Sequence, residues 1–167
     1  MAGLIPKEKV KATAINPRTM IIIAYPKVGK TEALTELPNN LILDFDVIAD
    51  DENVRGGTDF YDALAVKVDS FSKLKEVYAE LVEESAKGNR FDYITFDTFT
   101  SMYEMAVNEY AVTLYNQEKN EARPLDWNID TLDYGLGQKF KRDATKRIIE
   151  MFIPLAKKCL ILVGHIA

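Results

Sequence analysis

Apolar positions along the chain fall into two periods. Strand-like runs occur at residues 20–24 (MIIIA), 41–44 (LILD), 91–97 (FDYITFD) and 159–164 (CLILVG), the first of them continuously apolar. Runs this short and this rich in Ile, Leu and Val predict strands, and an unbroken run predicts burial on both faces, as in a parallel sheet. Val66 to Val68 predicts a further short strand. Between the runs the period lengthens to that of a helix. One helix is predicted from near Gly29, ending before Pro38. A second carries Leu74, Val77, Tyr78, Leu81 and Val82 on one face, with Ser72 as its cap and Gly88 just past its end. Met102, Tyr103, Ala106, Val107, Tyr110 and Leu114 mark a third. Phe140, Ala144, Ile148, Phe152, Leu155 and Ala156 mark a fourth, with a kink or restart at Pro154.

The polar stretches divide the chain. Residues 1–19 form a polar, partly basic leader (Lys7, Lys9, Lys11, Arg18), read as an N-terminal arm, which leaves 20–167 as one domain. The acidic stretch from Asp44 to Gly57 reads as a loop, and 116–138 as an irregular excursion. Strands alternating with helices predict an α/β fold, a mostly parallel sheet with helices on both faces. Ligands in such sheets bind at the carboxyl ends of the strands. The last strand has the composition of a central one, and the expectation is that the chain is a shortened version of something longer.

Composition narrows the class. The 167 residues, 47% of them hydrophobic and 28% charged, suffice for one compact domain with a core. A net charge of −5 argues against a duplex-DNA binder that works by bulk electrostatics, while leaving a local basic groove open. Cys159 is the sole cysteine, so no internal disulfide forms, and its apolar neighbours make it a core residue. No apolar run reaches the length of a membrane span, and MAGLIPKEKVKATAINP has no signal-peptide core. A cytoplasmic protein with no membrane partner is expected.

The stretch AYPKVGKT, between the first strand and the first helix, has the spacing of a phosphate-binding loop, with Ala24 in place of the usual first glycine. Gly29 allows the backbone to turn its N–H groups towards phosphates. Lys30 neutralises the β- and γ-phosphates, and the Thr31 hydroxyl ligates Mg²⁺. Ala24 sits at the strand–loop junction, where a methyl group fits. The candidate ATP-binding run is Ala24, Tyr25, Pro26, Lys27, Val28, Gly29, Lys30, Thr31 and Glu32. The competing reading is a chance GKT in an unrelated turn; the flanking strand and helix count against it.

Such a loop needs a second metal-holding group, an acid at the end of an apolar strand. Asp97, ending YITFD, fits that role beside Thr31; the competing reading is a helix cap. Thr98 either supports Asp97 or caps the next helix. No acid follows Asp97 directly, so the catalytic base is sought at the end of LILDFD, where Asp44 and Asp46 stand. Asp46 is favoured; the competing reading is a pair of solvated loop acids. His165, the only histidine, ends the last strand at the same crevice, placed to sense the γ-phosphate. Lys30, Asp46 and His165 are thus the candidate catalytic groups, and Thr31 and Asp97 the candidate metal ligands.

In this order, AYPKVGKT, LILDFD, YITFDTFTSM, DYGLGQKF and CLILVGHIA resemble the RecA-like P-loop ATPases of bacteriophages, small AAA-like nucleotide-binding proteins that include the Sak-type ATPases associated with single-strand annealing. The resemblance covers residues 18–167, and only the phosphate loop is a specific signature by itself. It implies an oligomeric, ATP- and Mg²⁺-dependent protein that binds single-stranded DNA through a loop just after His165. In the family the base is a Glu two residues after an Asp. Asp46 stands at that place, a departure that implies slow or rearranged hydrolysis.

Basic and aromatic residues interleave over 118–142 (Lys119, Arg123, Trp127, Tyr134, Lys139, Lys141, Arg142), a pattern compatible with single strands or with a solvated helix face over a packed Trp. Arg142, Lys146 and Arg147 are alternative arginine-finger positions. Two other functions fit the motifs: a small P-loop kinase, with 116–142 as its lid, and a nucleotide-dependent assembly protein with little turnover.

Overall fold

The computed structural model describes residues 19–25, 28–46, 64–88 and 91–166. Residues 1–18 of the leader, Pro26 and Lys27, and the whole of the acidic loop after Asp46 lie outside them. The strands β1 (Thr19–Ala24), β2 (Asn40–Asp44), β3 (Leu64–Lys67), β4 (Tyr93–Asp97) and β5 (Cys159–His165) form one sheet in the order β1-β5-β4-β2-β3. Every pairing is parallel, which places all five carboxyl ends along one edge of the domain. In register across that edge stand Ala24 with His165, Val163 with Asp97, and Asp97 with Asp44.

Both faces of the sheet are covered, unequally. Leu43, Ile94, Phe96, Leu160 and Leu162 face the main core, under α2 (Phe71–Ala86), α4 (Asn108–Lys119) and α5 (Leu136–Phe152). Ile42, Cys159, Ile161 and Val163 face the opposite way, where the short α1 (Lys30–Thr35) lays Leu34 on them. Asn40 anchors α1 from beneath. Its amide donates to the Leu34 carbonyl (2.8 Å) and its carbonyl accepts from Thr95 (2.9 Å). Burial raises the Cys159 thiol pKa, in keeping with a core residue.

Three local expectations are corrected. MIIIA forms β1 as predicted, but at the sheet's margin, and Ile21 (64%) and Ile23 (61%) are largely exposed. An unbroken apolar run does not distinguish an interior strand from a marginal one. The α2 cap is Ser70, not Ser72. The apolar stripe already begins at the buried Phe71, so the cap precedes it, and the Ser70 side chain accepts from the Lys73 N–H (3.2 Å). The third predicted helix starts earlier, as α3 (Phe99–Met102). It passes through a widened π turn over Tyr103–Val107 before continuing as α4. Pro154 acts as predicted: α5 ends at Phe152 and a 3₁₀ turn, Ile153–Leu155, takes over. Among the described residues no helix is long and apolar enough to cross a membrane.

Candidate nucleotide site

At the carboxyl edge, β1 runs into the candidate phosphate loop and α1 follows. Gly29 caps α1 with φ 83° and ψ 22°, a left-handed conformation. Space is not what requires glycine there, since a Cβ would meet only the far end of Glu32, at 3.6 Å. The positive φ requires it. Lys30 folds back over the loop's start, its ammonium donating to the carbonyls of Tyr25 (2.8 Å) and Ala24 (3.3 Å). Tyr25, Val28 and Glu32 are exposed.

Thr31 reaches across to β4. Its hydroxyl donates to Oδ2 of Asp97 at 2.9 Å, so the two expected metal-holding residues, 66 positions apart, are in contact. Asp97 is buried, and its carboxyl pKa is raised. Loss of solvation is the main cause, and the charges of Asp46 and Asp44 add to it; the Thr31 hydroxyl and His165 act the other way. Asp44, beside Asp97 in register, is buried, and its Oδ1 accepts from the Asp46 N–H at 3.0 Å.

Asp46 lies two residues beyond the end of β2. Its Oδ1 accepts from the hydroxyls of Ser101 (2.5 Å) and Thr98 (3.2 Å). Thr98 caps α3, accepting from the Ser101 N–H (3.3 Å), and its hydroxyl goes to Asp46 rather than to Asp97. Ser101 was not foreseen. The only signal for it was the S/T cap pattern of TFTS, which speaks of helix starts and not of a carboxylate beyond the neighbouring strand. His165, exposed at the end of β5, stands beside Ala24 in the strand register, between the loop and Asp97.

These residues fit a magnesium nucleotide. A hydroxyl and a buried acid meet, the acid is crowded by two further carboxylates, and a cation would relieve that crowding. Among the described residues no three His, Cys, Asp or Glu groups form a ready-made metal cage.

The interleaved basic segment is not a free cationic strip. Lys119 and Lys139 pair with Glu118, Arg123 pairs with Glu121 and lies over Trp127, and the buried Lys141 pairs with Asp130. Trp127 packs against Tyr115. Of the finger candidates, Lys146 pairs with Glu150 and Arg142 is exposed on α5.

A parallel sheet, a glycine-capped loop between strand and helix, and a Thr–Asp contact at the strand ends define the fold of a P-loop NTPase. The sequence profile of the AAA domain family matches residues 16–126, and the chain belongs to that family, whose domains are nucleotide-binding and of ATPase type. No curated protein matches the chain.

Proposed function

We propose that this protein binds Mg²⁺-ATP at residues 24–32 and hydrolyses it. The contact between Thr31 and Asp97 carries the reading, because it joins the loop's hydroxyl to the buried acid of another strand. Lys30, now on two loop carbonyls, turns to the β- and γ-phosphates. Thr31 and Asp97 hold the metal, which when bound neutralises phosphate charge. Asp46 orients the attacking water as general base. It is preferred to Asp44 because Asp44 is buried, whereas Asp46 is exposed to the crevice. His165 senses the γ-phosphate from its place beside Ala24.

The resemblance to phage RecA-like ATPases supplies the wider role: a homo-oligomer acting with single-stranded DNA in recombination, annealing or replication. The kinase alternative is disfavoured because a kinase has no need of His165 at the end of β5.

The test is ATP turnover with and without single-stranded DNA, for the wild type and for Asp46→Asn. Turnover stimulated by DNA and lost in Asp46→Asn supports the proposal. Phosphoryl transfer to a nucleoside monophosphate establishes a kinase. Tight binding with negligible turnover establishes an assembly protein. Normal hydrolysis by Asp46→Asn refutes Asp46 as base.

A further inference from the structure

We infer that Ser101, aided by Thr98, is the positioning residue that aims Asp46 at the attacking water; this rests on the reading of Asp46 as base. Asp46 follows the end of β2, outside the hydrogen-bonded ladder, so the sheet alone does not fix its side chain. Three contacts do. Its own N–H is held by Asp44 Oδ1 (3.0 Å), and its Oδ1 receives the Ser101 and Thr98 hydroxyls (2.5 and 3.2 Å). Those hydroxyls are 2.9 Å apart, so the three oxygens form one small cluster.

The arrangement leaves the carboxylate with two unlike oxygens. Oδ1 is engaged twice, and Oδ2 has no hydrogen-bond partner among the described residues. A carboxylate pinned through one oxygen presents the other in a fixed direction, which is what a group that orients water requires. Asp is one methylene shorter than Glu, so reach matters more here.

The anchor is also tied to the metal-holding acid. Thr98 follows Asp97 in the chain and caps α3, and Ser101 lies in that helix's first turn. One turn of backbone thus sets the relation between Asp97, on β4, and Asp46, beyond β2. A hydroxyl is needed at 101 because its proton must go to Asp46. Threonine supplies that proton, and alanine does not.

The experiment uses the full-length chain and measures ATP turnover by single-turnover kinetics together with nucleotide affinity. Expected for Ser101→Ala is a fall in the hydrolysis rate of about ten- to a hundredfold, with ATP affinity changed less than about twofold. Ser101→Thr should retain the rate within about threefold. In an Asp46→Asn background, Ser101→Ala should cause no further loss, since a residue acting through Asp46 has nothing left to aim. A wild-type rate in Ser101→Ala, alongside a dead Asp46→Asn, overturns the inference and spares the base. An equal loss from Ser101→Ala with and without Asp46, or a loss that threonine does not rescue, overturns it as well. A fully active Asp46→Asn removes the base reading on which it stands.

Discussion

The hydroxyl of Thr31 and the carboxylate of Asp97 meet at 2.9 Å, although one opens the first helix and the other ends the fourth strand in the chain. The contact holds α1 over the sheet and sets the hydroxyl and the acid where one cation can touch both. Thr31→Ala should weaken Mg²⁺-dependent ATP binding about ten- to a hundredfold. Thr31→Ser, which keeps the hydroxyl, should stay within about threefold. Calorimetric titration of ATP with and without Mg²⁺ checks this. Equal losses in both conditions would place the effect on the loop and not on the metal.

Asp97→Asn should separate stability from function. The carboxyl of Asp97 is raised from its ordinary 3.8 by burial and by the charges of Asp46 and Asp44. The folded protein therefore holds this proton more tightly than the unfolded chain. Its stabilising contribution is present at low pH and fades as pH rises from about 3.8 through the raised value. Above that window the charged, desolvated carboxylate is a standing cost. Asn removes the charge and can still accept from Thr31. The nucleotide-free variant should melt above the wild type at neutral pH. The difference should close on acidification. With Mg²⁺-ATP the order should reverse, because only the wild type gains from the ligand.

Lys30→Ala should abolish ATP binding and leave the fold intact. In the nucleotide-free protein the ammonium touches two carbonyls at the loop's start, one of them an exposed contact. Losing these costs no more than about 0.5 kcal/mol. Melting curves should therefore coincide within about 2 °C while titration detects no ATP binding. ATP bound with undiminished affinity would remove the phosphate loop from the site.

Gly137→Ala tests the block DYGLGQKF without touching the site. Gly137 is buried in the first turn of α5 against the 3₁₀ turn Ile129–Thr131. A Cβ there would lie 2.1 Å from the Ile129 carbonyl oxygen and 2.8 Å from its carbon. Both are backbone atoms, so the helix or the turn must move. A cost of about 2–3 kcal/mol is expected, visible in denaturant melts as a lower midpoint at an unchanged slope.

What was legible in the sequence was whatever depends on neighbours in the chain. The strand runs, the helix periods, Gly29 before Lys30 and the apolar approach to Asp97 are local patterns, and each appears in the fold, with the second and third helices starting earlier than read. What depends on pairing across the sheet was not legible. MIIIA has the composition of an interior strand, and only the strand order shows β1 at the margin with Ile21 and Ile23 exposed. Ser101 reads as a helix-start residue until β2 and β4 are set side by side. The basic residues of 118–142 look like a patch because their acidic partners, such as Glu118 for Lys139 and Asp130 for Lys141, come together only once the helices pack.

His165 offers a test of communication as distinct from binding. In the strand register it stands beside Ala24, where the loop begins, and it is close enough to Asp97 to oppose the rise in that group's pKa. Its side chain is exposed and has no hydrogen-bond partner among the described residues. His165→Ala should accordingly leave the melting temperature within about 2 °C and ATP affinity within about threefold. Stimulation of turnover by single-stranded DNA, measured on the full-length protein, should fall to the unstimulated rate. His165→Gln, which keeps a hydrogen-bonding group at that place, should restore part of the response. A variant that binds ATP and responds to DNA like the wild type would make His165 a surface residue that merely ends a strand.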